Sequence, residues 1–413
     1  MELRNPAALA ITCCLTLSTM TACTVRGSLG NPEFPYPLQQ AQEVGTIVHL
    51  PTGIVVSEEE MMAAVTDMRI VYVGETHDNP ASHRVQLAVL EAMAKRWPGM
   101  VSLGMEMLTP AQQPVLDRWV AGELSEKEFL KEVEWYSTWS MDFALYRDLL
   151  LLARDRQIPV IGLNADKALV KMVGRKALDE LTEEERASLP EMDMTDPYQT
   201  ALVEAIYGGH VSGEGHLAGF QRVQTLWDET MAENVVKYLQ AGPGGTRRMV
   251  VLAGGNHVRY GFGIPRRVFR RLPNSYALVG THEVVIAADK QDRMMDVEIP
   301  GFPMPPYDYL VFTAYESLPA DKVKLGVRME EQEGKVVVKE VVAGSAADLA
   351  GVQAGDVILA IDQEPISENF DLIYAVGQKA KGDKGLLEVE RAGARMTLEV
   401  EFQPLPESGA HKP

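Results

Sequence analysis

Ile70-Val71-Tyr72-Val73-Gly74-Glu75-Thr76-His77-Asp78-Asn79-Pro80 is the stretch from which the fold can be read. A β-branched and aromatic run, Ile70 to Val73, meets a glycine, then polar residues, then Asn79-Pro80, a pair suited to opening a helix. The pattern is a buried strand that feeds a helix. It recurs at Met100 to Met105, Pro159 to Leu163, Met249 to Ala253 and Tyr276 to Val279, with stretches of helical period between, including a long helical insertion from Asp166 to Gln240. Such alternation predicts an α/β fold: a mostly parallel sheet with flanking helices, most strands covered on both faces. Upstream, Thr46 to Leu50 and Gly53 to Val56 predict a hairpin, and Ser57 with Glu60 predicts a capping box opening a helix over Glu58 to Thr66.

Polar residues follow these strands at matching positions. Glu75 and His77 follow the first strand, Glu106 the second, Asn164 the third, and Asn256 with His257 the fourth. In an open parallel sheet the carboxyl ends of the strands share one edge, where ligand crevices lie. A single histidine after a strand is most often structural. Here two stand in matching frames, Gly74-Glu75-Thr76-His77 and Gly254-Gly255-Asn256-His257, and Glu106 interrupts an apolar run in which an unpartnered carboxylate would be costly. His83, in the first turn of the helix after Asn79-Pro80, can face the same crevice. His210 and His216 flank a glycine-rich turn before a long helix on which His216, Phe220, Val223 and Trp227 share a face. That face reads either as a core stripe or as a third imidazole beside an aromatic wall.

The chain has 413 residues and a net charge of −19, with 46% hydrophobic and 23% charged residues. This length predicts two domains, and the acidic balance argues against a nucleic-acid surface. All three cysteines, Cys13, Cys14 and Cys23, precede residue 24, so no disulfide framework is available downstream and any metal ligands there are N or O donors. Residues 1–22 read as a secretory signal and 23–44, rich in proline, as an extended tether. The α/β domain is expected over 45–290 and a linker over 291–320. A second, β-rich domain is expected over 321–404, with a tail over 405–413. Its short strands are expected at Leu325 to Met329, Val336 to Val342, Val357 to Ile361, Gly385 to Arg391 and Met396 to Phe402, with helices at Ala346 to Ala350 and Phe370 to Ala380.

Several motifs carry resemblances. Met20-Thr21-Ala22-Cys23 resembles a bacterial lipoprotein box, which implies a lipidated (palmitate-bearing) Cys23 and, with Thr24 following, the outer membrane on its periplasmic side. The runs Val71 to Pro80, Gly104-Met105-Glu106-Met107, Gly162-Leu163-Asn164-Ala165 and Gly254-Gly255-Asn256-His257-Val258, together with Gln224 to Asn234, resemble the ChaN-like haem-binding lipoproteins of the Tiki/TraB superfamily. That resemblance implies binding of haem or an iron complex and leaves a homodimer open. His77, His257, His216, His210, Asn164 and Asn256 are then the candidate cofactor-binding residues. The axial ligand stays open, with Tyr146, Tyr198, Tyr207 and Tyr260 as tyrosine candidates. Metal-dependent protease relatives in the superfamily imply an alternative: Glu75, His77, Glu106 and His257 holding zinc or manganese, with Glu75 or Glu106 as catalytic base.

The run Gly344 to Ile358, with Leu325-Gly326-Val327, resembles a bacterial-type PDZ domain. Leu325, Gly326 and Val327 would form the loop that holds a protein C-terminus, while the peptide adds to the sheet edge. A pure PDZ adaptor is the third reading.

Overall fold

A computed structural model describes residues 36, 38, 41–139, 141–210, 216–293, 297, 299–318 and 323–405. The signal segment, Cys23, most of the tether and nearly all of the tail lie outside the described residues, as does the side chain of His210. Among the described residues no helix is long and apolar enough to cross a membrane.

The first domain is built on eight strands: β1 (Ile47–His49), β2 (Ile54–Val56), β3 (Ile70–Glu75), β4 (Val101–Met105), β5 (Val160–Gly162), β6 (Arg248–Gly254), β7 (Tyr276–Ile286) and β8 (Tyr309–Tyr315). Their order across the sheet is β2-β1-β8-β7-β3-β6-β4-β5. The six from β8 to β5 are parallel, and the β1/β2 hairpin closes one edge antiparallel to β8.

Alternation along the strands feeds two cores. Val71 and Val73 of β3 and Val250 and Leu252 of β6 pack on one face with Val89, Leu90 and Met93 of the Pro80–Arg96 helix. Ile70, Tyr72, Met249 and Val251 face the other side, against Met231, Val235 and Leu239 of the Leu217–Gln240 helix. Because successive strand side chains point to opposite faces, one apolar run serves both layers, so β3 is buried throughout.

Local signals act as read. Ser57 and Glu60 form the capping box that opens the Glu58–Val65 helix. Asn79 caps the Pro80–Arg96 helix by accepting from the Ala81 N–H, with Pro80 in the first turn, where no backbone donor is needed.

One boundary differs from the sequence reading. Residues 291–320 were expected to be linker, but Tyr309–Tyr315 is β8, a central strand paired parallel to β7 and antiparallel to β1. The first fold therefore extends through Tyr315. The strand hides behind the proline-rich 301–306 stretch, and its pairing is non-local: Leu310 lies opposite Val48 and Gly280. The β7 strand likewise runs to Ile286, beyond the expected Val279.

The second fold carries β9 (Val327–Gln332), β10 (Lys335–Val341), β11 (Val357–Ile361), β12 (Glu364–Pro365), β13 (Lys384–Arg391) and β14 (Ala394–Glu401), with helices Ala346–Leu349 and Asn369–Gly377. The sheet is antiparallel in the order β14-β13-β11-β10-β9, with β12 beside β11, so β9 is an edge strand. The core gathers Val336, Val338, Ile358, Leu372, Leu387 and Phe402.

Candidate functional site

The strand order β3-β6-β4-β5 places the ends carrying Glu75, His257, Glu106 and Asn164 side by side. Glu75 lies opposite Gly254 in the β3/β6 register, and the Glu106 N–H donates to the Leu252 carbonyl of β6 at 3.0 Å.

Glu75 anchors one half of the site. Its side chain is fully buried, and it accepts from Tyr146 Oη at 2.8 Å and Gln86 Nε2 at 2.5 Å. Oε1 also meets His77 Nδ1 at 2.6 Å, and His83 Nδ1 stands 3.5 Å from Oε2. Burial pushes this carboxyl up, but His83, His77 and Gln86 outweigh burial together and hold it below its ordinary value. Burial pulls His77 down, yet the bond to Glu75 and the charge of Glu106 raise it to about 9.

His77 is therefore expected to be an imidazolium at neutral pH. Its folded value lies above the ordinary 6.5, so its stabilising contribution is complete below about pH 6.5 and is lost as pH rises through about 9. Glu75 has the opposite sign, contributing above its ordinary value and losing that contribution as pH falls through its lowered one. An NMR titration should show the His77 ring protons moving with a midpoint near 9. A midpoint near 6.5 would mean that the Glu75 bond is absent in solution.

His257 and Glu106 form the other half. Both are buried. His257 Nδ1 meets Asp228 Oδ1 at 2.7 Å, and its Nε2 lies 3.5 Å from Glu106 Oε1. Glu106 Oε2 accepts from the Gly254 N–H at 2.7 Å. Burial disfavours the charged imidazole of His257, but Glu106 and Asp228 together raise its pKa. The two halves meet at Gly254, where a Cβ would lie 2.9 Å from His77 Nε2 and 3.6 Å from Glu106 Oε2. In each half a carboxylate fixes the Nδ1 side of an imidazole, the device that orients histidine ligands.

The remaining candidates separate. Asn164 is structural in its contacts: Nδ2 donates to the Glu106 carbonyl at 2.9 Å and Oδ1 accepts from the Ala165 N–H. Asn256 is half-buried on the short helix Gly255–Val258. His216 is exposed at the N-cap of the Leu217–Gln240 helix, eleven residues before Trp227, whose ring lies 6.1 Å from that of His257. It stands roughly 16 Å along the helix from the crevice, because each residue rises about 1.5 Å. His216 therefore lies too far along the helix for its imidazole to share one metal atom with His257.

Among the tyrosines, Tyr146 is buried and donates to Glu75, and Tyr207 is buried against Phe220. Tyr198 and Tyr260 each stack on Phe262, at 5.5 and 5.3 Å, and Phe302 stands 4.8 Å from the Tyr260 ring. Tyr260 has φ +59°, a left-handed conformation rare for an aromatic residue.

Sequence reasoning missed Asp228, Gln86 and Arg259. An acid amid the apolar positions of the Leu217–Gln240 helix was the available signal for Asp228. Nothing local marks Gln86 or Arg259.

Residues 61–268 match the family described as haem-binding uptake, Tiki superfamily, ChaN. The chain belongs to this ChaN-like haem-binding family. Its ChaN-like fold is similar to the solved structure titled "Cofacial heme binding to ChaN of Campylobacter jejuni", with TM-score 0.51 and 16% identity over 66% of this chain and 98% of that one. The likeness is one of fold. Residues 323–402 match the PDZ domain family. A "Probable periplasmic serine endoprotease DegP-like" of Ectopseudomonas mendocina is 40% identical over 73 residues, which is 18% of this chain and 15% of that protein. Protein RETICULATA-RELATED 5, chloroplastic, of Arabidopsis thaliana is 23% identical over 251 residues, 55% of this chain and 33% of that protein. The chain thus spans no more than a third of the length of these curated relatives.

Two observations at this sheet edge suit a haem. Arg259 Nε is buried without a hydrogen-bond partner among the described residues, a cation suited to a propionate, and its guanidinium borders Gly255 at the crevice. Beside it, the His77 side chain is 32% exposed. Among the described residues no group of three or more His, Cys, Asp or Glu side chains is gathered to hold a metal ion.

Proposed function

We propose that this protein is a lipid-anchored haem- or iron-handling protein of the bacterial envelope, whose ChaN-like crevice takes the haem and whose PDZ domain holds a protein C-terminus. The lipoprotein box supplies Cys23 as the anchor, and the outer membrane facing the periplasm as the site of action. Membership of a haem-binding family and the paired histidines at the sheet edge support the first part.

Haem would supply an iron centre and a flat apolar plane bearing two anionic propionates. On the protein side, exposed Tyr198 and half-buried Tyr260 offer aromatic faces backed by the buried Phe262 and Phe302, and Arg259 offers the cation. Tyr260 is the oxygen donor best placed for iron. It is half-buried and three residues from His257, whereas Tyr146 is committed to Glu75. His257, held by Asp228, lies three residues before Tyr260, and His77, held by Glu75, lies beside Gly254.

The PDZ reading rests on the loop before β9. Gly326 has φ +84°, and a Cβ there would stand 2.2 Å from that of Ser345, so only glycine fits. The Leu325 and Gly326 carbonyls are turned inward, accepting from Ala347 and Val342 at 2.8 Å. That leaves an edge strand and the Asn369–Gly377 helix as the walls of a groove.

A hemin titration of the chain from Thr24 onward, followed by the Soret band, tests the haem reading. Saturable binding is expected, weakened at least about 10-fold in a His77→Ala/His257→Ala double variant. A protein that takes up no hemin would overturn the reading.

A further inference from the structure

The PDZ helix Asn369–Gly377 has three occupied faces. Leu372 and Val376 enter the PDZ core. Phe370 and Tyr374, one turn apart, pack instead against the core of the first domain, and Phe370 lies 6.3 Å from Tyr136. Asn369 and Ile373 share the third face, with the Asn369 N–H donating to Glu331 of β9 at 2.7 Å and Ile373 46% exposed beside that strand. The helix is thus both a wall of the peptide groove and half of the seam between the two folds.

Two ion pairs hold the seam: Lys127 to Asp371 at 3.1 Å and Lys131 to Glu368 at 2.6 Å. A cleft of about 290 Å³, lined by Lys127, Asp371, Tyr374 and Gln378 among others, lies along it.

The other side of the seam leads to the crevice. Lys127 and Lys131 lie on the Glu126–Glu132 helix and Tyr136 on the Trp135–Thr138 helix. The next residue, Trp139, stands edge-on to the His77 ring at 5.1 Å. Trp135 and Trp139 both lie against Tyr146, the donor to Glu75, at 5.5 and 6.4 Å. One short segment therefore touches the PDZ helix on one side and the Glu75/His77 half of the site on the other.

We propose that the two sites are coupled: a peptide C-terminus entering between β9 and the Asn369–Gly377 helix displaces that helix, and the 126–139 segment transmits the shift to His77. The inference rests on the proposed peptide and haem readings, and it assigns the PDZ domain a regulatory role toward the crevice rather than a purely recruiting one.

The tryptophans allow a test that needs no haem. All five, Trp97, Trp119, Trp135, Trp139 and Trp227, lie in the first domain and none in the PDZ domain. The full chain is titrated with a pool of Trp-free, fluorescein-labelled decapeptides randomised at the last three positions, with the amidated pool as control. Anisotropy reports binding, and a label-free copy of the pool is used for tryptophan emission.

Binding of the free-carboxylate pool with a saturable emission change is expected. That change should be lost in Trp139→Phe and reduced in Lys127→Glu/Lys131→Glu, while binding persists in both. Hemin affinity should shift at least about fivefold with the peptides present. Binding without any Trp139-dependent change would overturn the coupling and leave the peptide reading standing. No binding by either pool would overturn the peptide reading, and the coupling with it. Peptide-dependent emission with no hemin uptake would keep the coupling and remove only the haem reading.

Discussion

Glu229→Ala is expected to destabilise the first domain by about 3–5 kcal/mol, the cost of leaving a buried charge without its counter-ion. The Glu229 side chain is fully buried in the Leu217–Gln240 helix and faces three arginines of the Ile264–Arg271 helix. Arg267 Nε lies 3.0 Å away, Arg271 Nη2 2.7 Å and Arg270 Nη2 3.2 Å. The same carboxylate accepts from the Asp193 N–H at 3.1 Å, tying the insertion to the sheet layer. Arg267 is itself 2% exposed, so it cannot turn to water when its partner is removed.

Its other bonds, to the Phe262 and Gly263 carbonyls and to Gln199, satisfy donors but do not balance the charge. Urea unfolding followed by tryptophan emission would read the first domain alone. A loss under about 1 kcal/mol would mean that the arginines find other acceptors.

The second large effect is functional. Gly254→Ala is expected to lower hemin affinity about tenfold or more, equivalent to about 1.4 kcal/mol, while the fold survives. Gly254 has φ −52° and ψ 142°, which alanine adopts without strain, so the backbone does not object. The added methyl carbon would stand 2.9 Å from His77 Nε2 and 3.0 Å from Cε1. The His77 side chain, 32% exposed, can turn aside, and doing so breaks its 2.6 Å bond to Glu75. Overpacking of this kind costs about 1–3 kcal/mol of stability. Circular dichroism and urea unfolding would separate that cost from the binding loss. Unchanged hemin affinity would mean that the position of the His77 side chain takes no part in holding the guest.

Much of this was legible in the chain. Ile70–Val73 ending in Gly74 announces a buried strand because a strand covered on both faces is apolar at every position until it reaches its end, where Glu75 stands. Asn79-Pro80 and the Ser57/Glu60 box announce helix starts because those side chains satisfy donors that the helix cannot. These are local signals, and local physics decides them. The same applies to Glu75, His77, Glu106 and His257, whose polarity at the ends of apolar runs singles them out.

The β8 strand was not legible, because its seven residues gain their meaning from β1 and β7, far away in sequence. Nor was the isolation of His216, since a shared helix face says nothing about how far along the axis the crevice lies.

The sequence alone determined the two-domain α/β-plus-PDZ organisation and which polar residues gather at one sheet edge, because period and turn chemistry are written residue by residue. Only the tertiary structure decided that β6 inserts between β3 and β4. That insertion brings Gly254 between His77 and Glu106 and gives His257 its Asp228 partner; domain docking sets the PDZ helix on the segment that carries Trp139. Strand order and domain docking follow from which distant apolar surfaces bury one another best, and no single stretch of chain encodes that sum.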